Sequence, residues 1–395
     1  MSTDREQGGS SAGSARAIDG GRLGRGAEPP SEESRWDWDF MREDHGGDLW
    51  QLAATAGVTP GELLDFSANI NPLGLSSRVE GAIRTALPSV VHYPDPTSAA
   101  LREALAAYHG LSPEQVLPAN GSTELIYLLA RALAPRRALI LHPAFSEYEA
   151  ALELVGAHLT HALLEEARGF LPDMSRIVPR VAGEDLVILA NPNNPAGSLI
   201  PKPDLLILLK ALDRSGAVTV VDEAFIDFVE EGSLKRTLAD FPRLLLLRSL
   251  TKCFALPGLR VGYALAAPEL LARLLRFREP WSVNTLAQAA AVAALGDREY
   301  QERSRLLVPR WREEFRQALE QFDALRVFPG IANYLLVRLL DPVVAAPILK
   351  ERLLRERIAI RDCSSFRGLG QAFVRLAVRP PSEQARLLDA LKRCL

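Results

Sequence analysis

The 395-residue sequence predicts an α/β fold, in which a large domain on a mainly parallel sheet with helices on both faces is joined to a smaller α+β domain. Three observations predict it. From about residue 98 onward, helical patterns alternate with short apolar runs, as repeated strand–helix units require. Apolar residues make up 48% of the chain, ample for one large core with a smaller companion. Beyond about residue 287, long charged helical stretches and two apolar runs replace that alternation.

Residues 1 to 40 are rich in Gly, Ser, Arg and Glu with few aliphatics. Such a segment cannot bury enough surface to offset its ordering entropy, so a disordered tail is expected. Its aromatic cluster, Trp36, Trp38 and Phe40, reads as a fringe packing on the folded body, with a docking element as the alternative. The helix Leu125 to Leu133 follows the turn Asn120-Gly121-Ser122-Thr123-Glu124. Candidate strands are Ala138–Leu141, Leu186–Ala190, Val218–Val221, Leu244–Leu247 and Arg260–Ala264. Polar or Gly/Pro turns follow them closely at His142-Pro143, Asn191-Pro192, Asp222-Glu223, Arg248-Ser249 and Ala267-Pro268. Ligands of open α/β sheets gather at the carboxyl ends of the strands, where several of these turns fall. Downstream, Glu302 to Phe322 reads as a long charged helix, Tyr334–Val337 and Phe373–Val378 as strands, and Ala345 to Arg355 and Glu383 to Cys394 as helices.

A formal net charge of −3 offers no electrostatic ground for binding nucleic acid or an anionic membrane. Phosphate recognition must then rest on individual residues. Cys253, Cys363 and Cys394 are few, odd in number and far apart, which suggests neither a disulfide framework nor a thiolate metal site and fits a reduced cytoplasmic setting. No run approaches the roughly 18 to 20 apolar residues of a membrane span. The start Met1-Ser2-Thr3-Asp4-Arg5-Glu6 lacks a basic-then-apolar signal pattern.

Chemistry concentrates around one lysine. The run Arg248-Ser249-Leu250-Thr251-Lys252 ends thirty residues after the acid of Val221-Asp222-Glu223-Ala224-Phe225 and eight before Arg260. Pyridoxal 5'-phosphate needs an amine to hold its aldehyde, a carboxylate to keep its ring nitrogen protonated, and cations and hydroxyls for its phosphate. Lys252, Asp222, and Ser249 with Arg260 offer these. Alone, Asp222 could equally cap the next helix; in this company the cofactor role is preferred. Gly121, Ser122 and Thr123 open a helix, where free amides and the dipole make an anion site for the same phosphate, although an ordinary N-cap box is common there. Asn194, in Asn191-Pro192-Asn193-Asn194-Pro195, suits the ring's phenolic oxygen, and Phe145 could stack on the ring; the plain alternatives are a turn and a core aromatic.

In this order the segments resemble fold-type-I pyridoxal-phosphate enzymes of the aspartate aminotransferase superfamily, over about residues 45 to 395. The resemblance implies a seven-stranded sheet. It also implies residues 41–93 as part of the small domain and substrate site, 94–286 as the cofactor-binding domain and 287–395 as the C-terminal small domain. Histidinol-phosphate aminotransferases are similar, and threonine-phosphate decarboxylases of cobalamin synthesis more so. The closer match lies in His45-Gly46-Gly47, Leu64-Asp65-Phe66-Ser67-Ala68-Asn69-Ile70-Asn71-Pro72-Leu73-Gly74, Asp222-Glu223-Ala224-Phe225-Ile226-Asp227-Phe228 and Pro280-Trp281-Ser282-Val283-Asn284. Aminotransferases of this group usually carry a tyrosine where Phe225 stands, which weighs against amino transfer.

The same resemblance implies a substrate site of His45, Gly46, Asn69 and Asn194 with Arg361 and Arg375. Two arginines suit a substrate with a carboxylate and a phosphate. Arg375 falls where the superfamily binds the carboxylate, leaving Arg361 and His45 for the phosphate, an assignment the sequence leaves open. Tyr93, in His92-Tyr93-Pro94-Asp95, resembles the tyrosine that reaches the neighbouring subunit's cofactor phosphate, implying a homodimer with shared active sites. The expected reaction is decarboxylation of L-threonine O-3-phosphate to (R)-1-amino-2-propanol O-2-phosphate. A histidinol-phosphate or related aminotransferase is the alternative. A ligand-sensing regulator is a third, disfavoured because the polar 40-residue tail is too short for a DNA-binding domain.

Overall fold

The computed structural model describes residues 45–395. The expected tail and its Trp36, Trp38 and Phe40 cluster lie outside the described residues.

Seven strands form the main sheet. Their spatial order is Val116–Ala119, Gly262–Ala266, Leu244–Ser249, Val218–Asp222, Leu186–Ala190, Arg137–His142 and His158–Leu163. Only Gly262–Ala266 runs antiparallel to its neighbours. Because side chains alternate along a strand, each apolar run feeds two cores. Leu139, Val187, Leu189, Val221, Leu244 and Leu246 join one face with the helices Ala99–His109, Lys202–Ser215 and Thr285–Leu295. Ile140, Leu186, Ile188, Val220, Leu245 and Leu247 join the other with Gly121–Leu133, Glu147–Glu153 and Pro268–Leu275. Burial on both faces explains why these runs are continuous rather than alternating.

A four-stranded antiparallel sheet follows, ordered Arg361–Asp362, Phe373–Ala377, Tyr334–Leu339 and Leu325–Val327. Its core sets Leu335, Val337, Val374 and Leu376 against Phe315, Leu349, Leu353, Leu387 and Leu391 of three helices. The segment before the large sheet is sewn to this region. Leu64 and Asp65 pair in parallel with Ile358 and Ala359, and the Phe66 carbonyl accepts from the Ala377 amide at 2.9 Å.

The strand expected at Arg260–Ala264 runs instead from Gly262 to Ala266. Arg260 has φ +56°, a left-handed conformation that no strand contains, and it closes the turn Pro257–Leu259. Similarly, the turn at Gly121-Ser122-Thr123 is already the first turn of the helix Gly121–Leu133, and the long charged helix spans Arg298–Leu319. No helix among the described residues is long and apolar enough to cross a membrane.

Candidate active site

Most of the expected residues sit at or just beyond the carboxyl ends of the large sheet's strands. Asp222 ends one strand and Ser249 the next, while Lys252 follows in the ensuing turn. Asp222 is buried and held from two sides: Tyr148 Oη donates to Oδ2 at 2.5 Å and the Ala224 amide to Oδ1 at 2.9 Å. Burial raises its pKa, against the two hydrogen bonds and Lys252, which pull it down. Lys252 Nζ stands 5.7 Å from the Phe225 ring centroid. Burial above all, then the neighbouring Arg375 and Arg260, bring its amine down to about 8, with Asp222 opposing. Its carbonyl oxygen accepts from the Asn71 amide at 3.0 Å, which ties the turn to the N-terminal segment.

One side of this centre is built for an anion. The helix Gly121–Leu133 leaves its first amides without intrahelical acceptors. Gly121 has φ +81°, and a β-carbon there would stand 2.6 Å from Arg260 Nη2, so only glycine admits the guanidinium this close to the helix start. Ser249 Oγ and Thr251 Oγ1 lie 2.7 Å apart, both buried, adding a hydroxyl that the sequence reading missed. Behind the strand ends Arg248 is fully buried, with Glu223 at 3.1 Å, Asp227 at 2.7 Å and Glu230 at 2.6 Å. Glu223 and Arg248 adjoin Asp222 and Ser249, respectively, in sequence, so they project to the opposite side and the cluster braces the strand ends from there.

The other side carries the arginines. Arg375 Nη1 donates to Asn194 Oδ1 at 2.5 Å and Nη2 to the Ser67 carbonyl at 2.9 Å, with its guanidinium 5.4 Å from the Tyr334 ring centroid. Burial lowers its pKa to about 10. Arg361 is directly opposite Arg375 in the antiparallel register, so both side chains leave the same face of the sheet. Its Nη2 donates to Ser365 Oγ at 2.9 Å, and a cavity of about 420 Å³ opens beside it, lined also by Phe145, Ser146, Glu149 and Arg367.

His45 Nε2 lies 2.8 Å from Glu147 Oε1, and its ring centroid is 5.5 Å from that of Phe145. A β-carbon at Gly46 would overlap the Ser67 carbonyl oxygen and approach Arg375 Nη2 to 3.4 Å. His45, Gly46, Asn194, Arg375 and Phe145 thus form a continuous chain of contacts. Asn69 is buried, and its Oδ1 and Arg375 Nε are polar atoms with no hydrogen-bond partner among the described residues, as expected of groups aimed at a polar ligand. Tyr93 differs from all of these: it is 81% exposed and stacks on Trp281, with centroids 4.7 Å apart.

Tyr148, Tyr334 and Glu147 escaped the sequence reading. Tyr148 and Glu147 stand three and two residues after the candidate Phe145, at the start of the helix Glu147–Glu153, a proximity that could have flagged both. No comparable signal marked Tyr334. His142, Glu149 and His161 bring ligand-type atoms within 4.8 Å, but Arg367 pairs with Glu149 and the two imidazoles hydrogen-bond each other at 3.0 Å.

The family model described as aminotransferase class I and II matches residues 61–391. Threonine-phosphate decarboxylase of Salmonella typhimurium is 39% identical over 353 residues, which span 89% of this chain and 96% of that protein. An adenosylcobalamin biosynthesis bifunctional protein of Leptospira interrogans is 33% identical over 88% of this chain and 40% of its own length. Among solved structures, histidinol-phosphate aminotransferase from Clostridium acetobutylicum superposes with a TM-score of 0.79 at 32% identity, covering 84% of this chain and 98% of its own.

Proposed function

Since the chain belongs to the class I and II aminotransferase family, we propose that it is a pyridoxal-phosphate-dependent decarboxylase of L-threonine O-3-phosphate. It releases CO2 and (R)-1-amino-2-propanol O-2-phosphate, and serves cobalamin biosynthesis. The observation that carries this reading is the pair Arg361 and Arg375, both buried and opposed in register, which suits a substrate with two anionic groups. Phe225 adds to it, since no phenol stands there to bond the cofactor's ring oxygen and Asn194 is left for that task.

The residues fit the cofactor. Lys252 supplies an amine near neutrality, Asp222 a carboxylate fixed by two donors, and Gly121 a gap that a methyl group would fill. When bound, the cofactor accepts the electron pair released as a bond at the substrate's Cα breaks. Lys252 would hold the cofactor through its amine, and the same amine would supply a proton at the substrate's Cα. Asp222 keeps the proton on the ring nitrogen. Ser122 and Thr123 amides, Ser249 and Arg260 would hold the cofactor's phosphate, and Phe145 would cover its ring. Arg375 would take the substrate carboxylate, while Arg361, His45 and Asn69 would take its phosphate, and these two anchors together would fix the substrate's orientation so that CO2 is the group expelled. The division at residues 93/94 and 286/287 separates these cofactor and substrate parts.

A homodimer completes the site. Tyr93 and Trp281 are exposed together, with Leu87, Val90 and Val91 exposed just before Tyr93, an apolar surface suited to a second copy whose cofactor phosphate Tyr93 would reach. Three buried free cysteines are in keeping with work in the cytoplasm.

Purified protein given pyridoxal phosphate and L-threonine O-3-phosphate should evolve CO2. No CO2 from cofactor-loaded protein refutes the proposal. The second reading, a histidinol-phosphate aminotransferase, is favoured by the superposition on that enzyme and predicts 2-oxoglutarate-dependent amino transfer instead.

A further inference from the structure

Glu147 belongs to neither the cofactor nor the substrate set, yet it occupies the centre of a hydrogen-bonded chain that reaches both. Its Oε2 accepts from Tyr127 Oη at 2.5 Å and its Oε1 lies 2.8 Å from His45 Nε2. Tyr127 is carried by the helix Gly121–Leu133, whose first turn holds the candidate phosphate amides, and Glu147 opens the helix Glu147–Glu153. Hydrogen bonding from His45, then from Tyr127, lowers the Glu147 pKa despite partial burial, so the group is a carboxylate at neutral pH. From the other direction, the Gly47 amide donates to Ser67 Oγ at 2.9 Å, and the Ser67 carbonyl accepts from Arg375. His45 is therefore pinned through its ring on one side and through the backbone after it on the other.

We propose that Glu147 is a positioning residue for the substrate's phosphate, acting through His45; this rests on the reading of His45 as a phosphate contact. A carboxylate at Nε2 fixes the ring's orientation and leaves Nδ1 as the nitrogen offered to substrate. When a dianionic phosphate arrives at Nδ1, the imidazole lies between two anions, and the doubly protonated ring can donate a charge-assisted bond to each. Tyr127 keeps Glu147 from rotating away. Because Tyr127 and the phosphate amides share one rigid helix, cofactor phosphate and substrate phosphate are set at a fixed spacing.

Glu147→Gln preserves shape and removes the charge. A glutamine amide can donate to Nε2, which lets the neutral ring keep its single proton on Nδ1 and reduces the bond to phosphate to an uncharged one. Glu147→Gln is expected to raise KM for L-threonine O-3-phosphate by about tenfold or more, with kcat within about twofold and visible cofactor absorption unchanged. In a double-mutant cycle, His45→Ala should cost little once Glu147→Gln is present. Tyr127→Phe, which removes only the outer hydrogen bond, should shift KM in the same direction by less. Calorimetric titration of 3-hydroxybutyrate O-3-phosphate, which keeps the carboxylate and phosphate but has no amine to displace Lys252, into wild type and Glu147→Gln gives the same comparison without turnover, so a failure of the decarboxylation reading shows as absent CO2 while the affinity difference still reports on Glu147. Equal KM and equal affinity in the two proteins, or additive effects of His45→Ala and Glu147→Gln, overturn the proposal. Absence of any binding to wild type overturns both readings together.

Discussion

Gly262 offers the sharpest test of how the phosphate side of the site is built. A β-carbon there would lie 2.5 Å from the Ser122 amide nitrogen, 2.8 Å from the Arg248 carbonyl oxygen and 2.9 Å from the Gly121 carbonyl carbon. Against an ordinary contact near 3.5 Å, these are overlaps of about 0.6 to 1.0 Å. All three atoms are main chain, so no side chain can swing aside. Overpacking of this kind costs about 1–3 kcal/mol. The natural relief is a displacement of the helix start, which carries the amides proposed to hold the cofactor's phosphate. Weakening two such bonds, at about 1.5 kcal/mol each, would loosen the cofactor by roughly two orders of magnitude. Gly262→Ala should therefore lower the urea midpoint and release pyridoxal phosphate on dilution, read as loss of visible absorption during dialysis. Gly258→Ala is the matched control, since a β-carbon there meets nothing within 4 Å. Should Gly262→Ala bind cofactor within about threefold of wild type at an unchanged urea midpoint, the packing argument and the phosphate assignment would both fall.

Further outcomes follow from the same geometry. Lys252→Ala should abolish the visible absorption of bound cofactor while far-ultraviolet circular dichroism stays native; retained absorption would move the covalent attachment elsewhere. The amine of Lys252 sits at about 8, below its ordinary value, so its charged form prevails beneath that pH and its neutral, reactive form above it. Capture of pyridoxal phosphate by cofactor-free protein should accordingly speed up from pH 6.5 to 9 in stopped-flow absorbance, and a flat or falling profile would refute the assignment. Arg361→Ala and Arg375→Ala should each weaken L-threonine O-3-phosphate binding by about tenfold or more, but only the phosphate ligand should lose its preference over unphosphorylated L-threonine. Equal losses toward both compounds in both variants would contradict a division of labour between the two arginines.

The central strands were legible because burial on both faces makes them continuous apolar runs, as in Leu186–Ala190 and Leu244–Leu247. The outer strands were not. Val116–Ala119 is short and contains Pro118, tolerable only at a sheet edge, and His158–Leu163 mixes His and Thr along a half-exposed margin. Arg260 was read as the start of a strand because its apolar successors hid the left-handed turn before them. In the site, residues that carry chemistry by type, such as Lys252 and Asp222, stood out. The pairings between distant residues did not, even where one or both partners had been singled out: Tyr148 meets Asp222 across 74 positions, His45 meets Glu147 across 102 and Asn194 meets Arg375 across 181. Local pattern holds no information about such meetings, which topology alone creates.

Lys252, Asp222 and Ser249 extend from the large sheet, whereas Arg361 and Arg375 belong to the smaller antiparallel one. That separation has an evolutionary meaning. In the proposed division of labour, the groups that would hold the cofactor and the two arginines that would hold substrate come from different sheets, so substitutions in the short strands Arg361–Asp362 and Phe373–Ala377 can alter substrate anchoring while Lys252 and Asp222 are inherited intact. Hybrid sequences with exchanged C-terminal blocks are then direct material for asking how much of the reaction's choice travels with the two arginines.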